Sequence, residues 1–190
     1  MPWAFFDGAS QDNKCGGGAI FFLNKNHHFQ IQMGLGAGTN NFVELMALKL
    51  LLFFALEKDS RRIQFFGDSL VILNWVNKVQ RCKNISRITL FEEVCRLMAN
   101  FDSITCQHVY KERNVVVDHL SKQGLSLELG TWNLWKPGMQ KSMTSIIDHL
   151  LKINKFPMQH ELLFSLSDKL KWLVVHVVLS ICCKLINGLW

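Results

Sequence analysis

Three apolar, strand-like runs crowd the first 36 residues of this chain, with nothing but turn signals between them. Pro2–Phe6 reads as a short buried strand that stops at Asp7-Gly8. A Gly-rich turn, Cys15-Gly16-Gly17-Gly18, leads into Ala19–Leu23, and Asn24–Asn26 separates that run from the alternating stretch His28–Leu35. Connections this short cannot carry a crossover, so the three runs have to pair as antiparallel neighbours. A sheet that begins this way excludes an all-helical fold from the outset.

Beyond Gly36 the pattern changes period. Thr39 stands where a helix N-cap would, its hydroxyl able to accept from a first-turn amide. Leu45, Leu48, Leu52 and Ala55 then recur at helical spacing, which predicts a helix to about Glu57 with one buried face. After the charged turn Asp59–Arg62, Ile63–Phe66 reads as a strand ending at Gly67-Asp68, with a helix from Ser69 through Val79 behind it. A third helix is predicted over Ile88–Asn100, a strand over Ile104–Tyr110, and a helix capped by Asn114 that ends near Gly124. The order predicts an α/β fold: a five-stranded mixed sheet, three antiparallel strands followed by β-α-β units, with helices on both faces. Alternation stops near Gly130, so residues 1–130 are read as one domain and 131–190 as a C-terminal extension with a helical tail.

At 49% apolar and 19% charged residues, the chain can bury a core, which rules out global disorder. Its formal net charge of +6 is weak evidence for a nucleic-acid partner. Residues 131–190 hold 7 Lys, no Arg and only Asp148, Glu161 and Asp168, so most of the excess lies outside the domain. Cys15, Cys82, Cys95, Cys106, Cys182 and Cys183 show no CxxC spacing, and the N-terminal residues lack a secretory signal. Reduced thiols in an intracellular setting, nuclear or cytoplasmic, are the expectation.

Four carboxylates stand in unusual contexts. Asp7 and Asp68 each follow an apolar strand, Trp3–Phe6 and Ile63–Phe66. An Asp at one strand end is a common cap or turn residue, but two of them leave the same sheet. Glu44 lies one turn inside the first predicted helix beside Leu45 and Leu48, where an unanswered carboxylate costs several kcal/mol. Asp118 sits among apolar positions in the first turn of the last helix, where a favourable charge–dipole contact alone is worth roughly 0.3–1 kcal/mol. Four acids directed at one place repel each other. Hard divalent cations such as Mg²⁺, which take oxygen ligands, make such an arrangement favourable.

Four segments now carry a resemblance: FDGAS at 6–10, TNNFVELMAL at 39–48, GDSLVI at 67–72 and HVYKERNVVVDHLSKQG at 108–124. Together they resemble type 1 ribonuclease H, in the flavour of the RNase H-like domain of plant retroelement polyproteins and their domesticated relatives. The resemblance covers about residues 2–130 and implies hydrolysis of the RNA strand of RNA–DNA hybrids. It implies that Asp7, Glu44, Asp68 and Asp118 bind two Mg²⁺, with Mn²⁺ a possible substitute. Asp7 and Asp68 would be the central ligands, with one ion activating water and the other stabilising the departing 3′ oxygen. Asn40 and Asn41 would touch substrate, and Gly8 would offer backbone contacts to 2′-hydroxyls. The histidine loop that many members carry before the last carboxylate is replaced here by Lys111-Glu112-Arg113, and His108 and His119 read as strand and surface residues.

Lys78, Arg81, Lys83 and Arg87 fall within ten positions with no acid between Ser69 and Phe91, next to Trp75. A solvated helix face and a grip on the DNA strand of a hybrid are both consistent with this run. Trp75 itself, among Ile72, Val76 and Val79, is expected in the core. In the extension, the 12 uncharged residues 172–183 fall short of the ~20 that span a bilayer as a helix. A tail anchor with Lys184 snorkelling stays open beside a helix packed on the domain. No obligate protein partner is evident. A catalytically silent nucleic-acid-binding or interaction module on the same fold is the alternative to the nuclease.

Overall fold

The strand that starts at Trp3 does not end at Asp7. In the computed structural model, which describes residues 1–83, 85–136 and 139–143, β1 spans Trp3–Gln11 and β2 Lys14–Asn24. Asp12 and Asn13, at φ 50° and 59°, turn one strand into the other. Two consecutive left-handed residues make the tight hairpin whose twist suits paired strands. Strand β3, His27–Gly36, completes the antiparallel trio.

The triplet Gly16-Gly17-Gly18 is therefore strand, paired with Ala9–Asp7 on one side and Gly34–Gln32 on the other, and not the expected turn. Its reason is tertiary. A Cβ on Gly18 would lie 2.4 Å from the Val117 carbonyl oxygen and one on Gly16 2.3 Å from that of Ser121. Both missing side chains make room for the backbone of a helix, α4 (Val115–Gly124).

Helix α1 spans Asn40–Glu57, as its periodicity predicts. It is buried nearly all round rather than on one face: Val43 to Leu52 are all buried, with the sheet on one side and α3 (Ile85–Met98) on another. Lys49 is caught in that packing at 5% exposure and answers its charge with Glu93 of α3 at 2.5 Å. Thr39 occupies the N-cap without capping; its Oγ1 accepts from the Arg87 guanidinium at 2.9 Å.

Strand β4 (Arg62–Gly67) lies parallel to β1, and β5 (Ser103–His108) parallel to β4. Helix α2 is shorter than expected, Leu70–Val76, and Lys78 at φ 60° follows its end. Trp75 is buried as predicted, edge-on to Phe91. The core of Phe6, Phe21, Phe65, Ile31, Leu45, Leu48 and Leu52 is fully buried. On the α4 side, Ile20, Val117 and Leu120 form a smaller cluster against Phe5 and Phe22.

Among the described residues the sheet has seven strands in the order β5-β4-β1-β2-β3-β6-β7, not five. Strand β6 (Trp132–Lys136) pairs antiparallel with β3, and β7 (Met139–Met143) with β6. An amide chain ties the addition in: Asn133 donates to Gln32, and Gln32 to Gln123 of α4. The described sheet belongs to a compact unit, Met1–Thr144. The expected helical tail and the apolar run 172–183 lie outside the described residues. Among those described, no helix is long and apolar enough to cross a membrane.

Candidate metal centre

Parallel pairing of β1 with β4 ends at Phe5 opposite Phe66, while β1 runs on beside β2. Asp7, midway along β1, and Asp68, just past β4, each lie two residues beyond that last pair, where the parallel pairing stops and the sheet can open a crevice for ligands. Glu44 arrives from the first turns of α1. That helix can come so close only because residue 8 is glycine: a Cβ there would sit 2.6 Å from the Glu44 backbone nitrogen. Asp7, Glu44 and Asp68 thus offer one oxygen each, all within 4.8 Å of one another, with Asp7 and Glu44 buried.

Among the described residues, the charge of the trio is not answered in full. Glu44 Oε2 is buried without a hydrogen-bond partner. Burial, and then the charges of Asp7 and Asp68, hold the Glu44 carboxyl well above its ordinary range. Burial also raises Asp7; a hydrogen bond from Ser121 works against this, and the charges of Asp68 and Asp118 add to it. A hard cation fits these donors: three oxygens converge, one of them orphaned, and a positive charge would remove the repulsion.

These shifts carry a sign for stability. The folded chain binds protons more tightly at Asp7 and Glu44 than the unfolded chain, whose values lie near 3.8 and 4.5. As pH rises above about 4.5 the unfolded state ionises first, so this contribution turns against folding. Thermal melts in chelator should therefore show the metal-free protein losing stability from about pH 5 to 7, with Mn²⁺ restoring it at neutral pH. A flat profile that ignores Mn²⁺ would contradict the centre.

The fourth predicted carboxylate, Asp118, stands apart from the trio. It lies near enough for its charge to raise Asp7, but its oxygens pair with Lys122 at 2.7 Å and Lys111 at 3.9 Å. Asn114 does not cap α4 with its side chain. Its Nδ2 donates 3.1 Å to the Phe6 carbonyl, which clamps the start of α4 to the residue before Asp7. Sequence reasoning missed this clamp, and it missed Ser121, whose hydroxyl is 2.6 Å from Asp7 Oδ2. A small polar residue one turn after Asp118 was its only signal.

Asn40 is exposed and Asn41 half-buried at the start of α1. Lys78, Arg81 and Lys83 are exposed in the connection after α2 rather than on a helix face. Arg87 belongs to α3 and reaches back to Thr39, which brings the last of the four cations beside the N-terminus of α1.

Residues 5–124 match the reverse transcriptase-like family. Comparison with curated proteins gives no match. Among solved structures, the chain is similar to RNase H1 from the halophilic archaeon Halobacterium salinarum, with 24% identity, a TM-score of 0.62, and 65% of this chain and 96% of that one covered. An N-terminal RNase H domain from Mycobacterium tuberculosis aligns at 21% identity and TM-score 0.60, covering 65% and 92%. A compost-derived RNase H1, solved with an RNA/DNA hybrid, gives 19% identity and TM-score 0.61, covering 66% and 96%. The shared fold, and a family match that runs through all four carboxylates, place this chain in the reverse transcriptase-like family of ribonuclease H-fold proteins.

Proposed function

We propose that the protein is a divalent-metal-dependent nuclease that hydrolyses the RNA strand of RNA–DNA hybrids. The observation that carries this reading is the trio Asp7, Glu44 and Asp68, two of them buried, whose orphaned Glu44 oxygen and mutual repulsion a bound cation would relieve without protonating the acids. Asp7, Glu44 and Asp68 would hold one ion, and Asp118, drawn from its lysines, would contribute to a second. The chemistry supplied there by Mg²⁺, with Mn²⁺ as a substitute, is activation of water for in-line attack on the scissile phosphate and neutralisation of charge on the departing oxygen.

The chain's own residues orient the substrate. Gly8 presents backbone beside the trio, and Asn40 and Asn41 offer amides at the start of α1, suited to 2′-hydroxyls and base edges. Lys78, Arg81, Lys83 and Arg87 would meet the phosphates of the DNA strand, so affinity should fall steeply with salt. The compartment we favour is intracellular, nuclear or cytoplasmic, where Cys15, Cys82, Cys95 and Cys106 stay free thiols.

A labelled hybrid incubated with Mg²⁺ tests the reading directly. The parent protein should cut the RNA strand, and Asp68→Asn should bind the hybrid with similar affinity yet cut roughly 10³-fold more slowly. If neither protein cuts while both bind with salt-dependent affinity, the fold serves as a silent nucleic-acid-binding module.

A further inference from the structure

Helix α4 touches β1 at two successive residues. Asn114 donates to the carbonyl of Phe6, and two turns later Ser121 reaches the carboxylate of Asp7. Ser121 is fully buried (0% exposed) and Asp7 nearly so (5%). Asp7 stands directly opposite Gly18 in the β1–β2 ladder. A Cβ on Gly18 would lie 2.5 Å from the Ser121 nitrogen, so the bare position opposite Asp7 is what admits the serine.

The hydroxyl also lies 2.9 Å from the carbonyl of Asp118, one turn earlier in the same helix. It has one proton to give. Against an ionised carboxylate at 2.6 Å the charge-assisted bond is about twice as strong as a neutral one, so the proton belongs on the side of Asp7. The Asp118 carboxylate, a separate group from that carbonyl, is paired with Lys122 of α4 and Lys111 of the preceding turn.

We infer that Ser121 is a positioning residue: its hydroxyl fixes the rotation of the Asp7 carboxylate and so presets one ligand of the cation centre. A satisfied outer partner of this kind orients a metal-binding oxygen before the ion arrives, and losing one typically costs 10–100-fold in metal affinity or activity. The inference rests on the metal-centre reading above, and the experiment separates the two.

Mn²⁺ binding to the full chain, without nucleic acid, is measured by isothermal titration calorimetry for the parent, Ser121→Ala, Asp68→Asn, Asp7→Asn and the double variant Asp7→Asn/Ser121→Ala. Ser121→Ala should raise the Mn²⁺ Kd about 10-fold or more. It should lower kcat at saturating hybrid while leaving hybrid Kd in chelator unchanged, a split that a purely structural serine would not produce. In the Asp7→Asn background the serine change should have no further effect on the Kd. Should Ser121→Ala fail to fold, Ser121→Cys keeps the size with a much weaker donor and should show the same loss. If Ser121→Ala binds Mn²⁺ within twofold of the parent while Asp68→Asn does not bind, the inference is overturned and the metal centre stands. If the parent itself binds no Mn²⁺, the metal-centre reading falls and takes the inference with it.

Discussion

Glu44→Gln should make the metal-free protein more stable and the nuclease inactive. Glu44 is 9% exposed, its Oε2 has no partner, and two other carboxylates share its space. In chelator at neutral pH the amide removes that repulsion and most of the desolvation cost while keeping the shape. We expect a rise in melting temperature of about 3 °C or more, corresponding to roughly 1 kcal/mol. With Mg²⁺ present the order reverses: the parent gains stability by binding the ion, and the variant loses cleavage by about 10³-fold, close to 4 kcal/mol of barrier. Melts with and without Mn²⁺, beside a hybrid-cleavage assay, check both signs. A parent more stable than Glu44→Gln in chelator would show that the protein answers this charge by itself.

Gly18→Ala should be among the most destabilising single methyl additions in the chain. Its new carbon would meet the Val117 oxygen at 2.4 Å, the Ser121 nitrogen at 2.5 Å and the Leu120 Cβ at 2.9 Å. Two of these atoms are backbone, so α4 has to lift off the sheet. The expected loss is about 3 kcal/mol or more, a large share of the roughly 5–15 kcal/mol that holds a domain together. Gly17→Ala is the internal control: it points to the other face and meets the Met33 Cε at 3.0 Å and the Leu35 Cδ1 at 3.1 Å, ends of flexible side chains. A loss nearer 1 kcal/mol is expected there. Urea unfolding of both variants decides the matter; equal losses would mean that α4 is not seated as tightly as these distances require.

The same triplet shows where sequence reasoning ran out. Three consecutive glycines carry the local signature of a turn, and only knowing that a helix arrives from a hundred residues away turns them into strand. Helix α1 was legible in its bounds, because Leu45, Leu48, Leu52 and Ala55 keep one period. Its burial all round was not, because Lys49 reads as a surface residue until Glu93 is placed against it. Asp7, Glu44 and Asp68 were legible because each is a charge in an apolar setting, and the structure gathers those three. Asn114 and Ser121 were not: their side chains act across the fold, and a polar residue at a helix start reads as a cap. The run Trp132–Lys136, followed by Pro137-Gly138 and Met139–Met143, does carry a hairpin signal. It was obscured because alternation with helices had ceased by then.

That hairpin changes which strand borders the sheet. Without β6 and β7, the outer side of β3 would present an unpaired row of amides and carbonyls along Gln30–Met33, a ready template for another chain. The family match ends at residue 124, so a fragment trimmed to it would keep every acid of the metal centre and still expose a self-association edge. Colloidal behaviour and chemistry thus reside in different parts of the sequence.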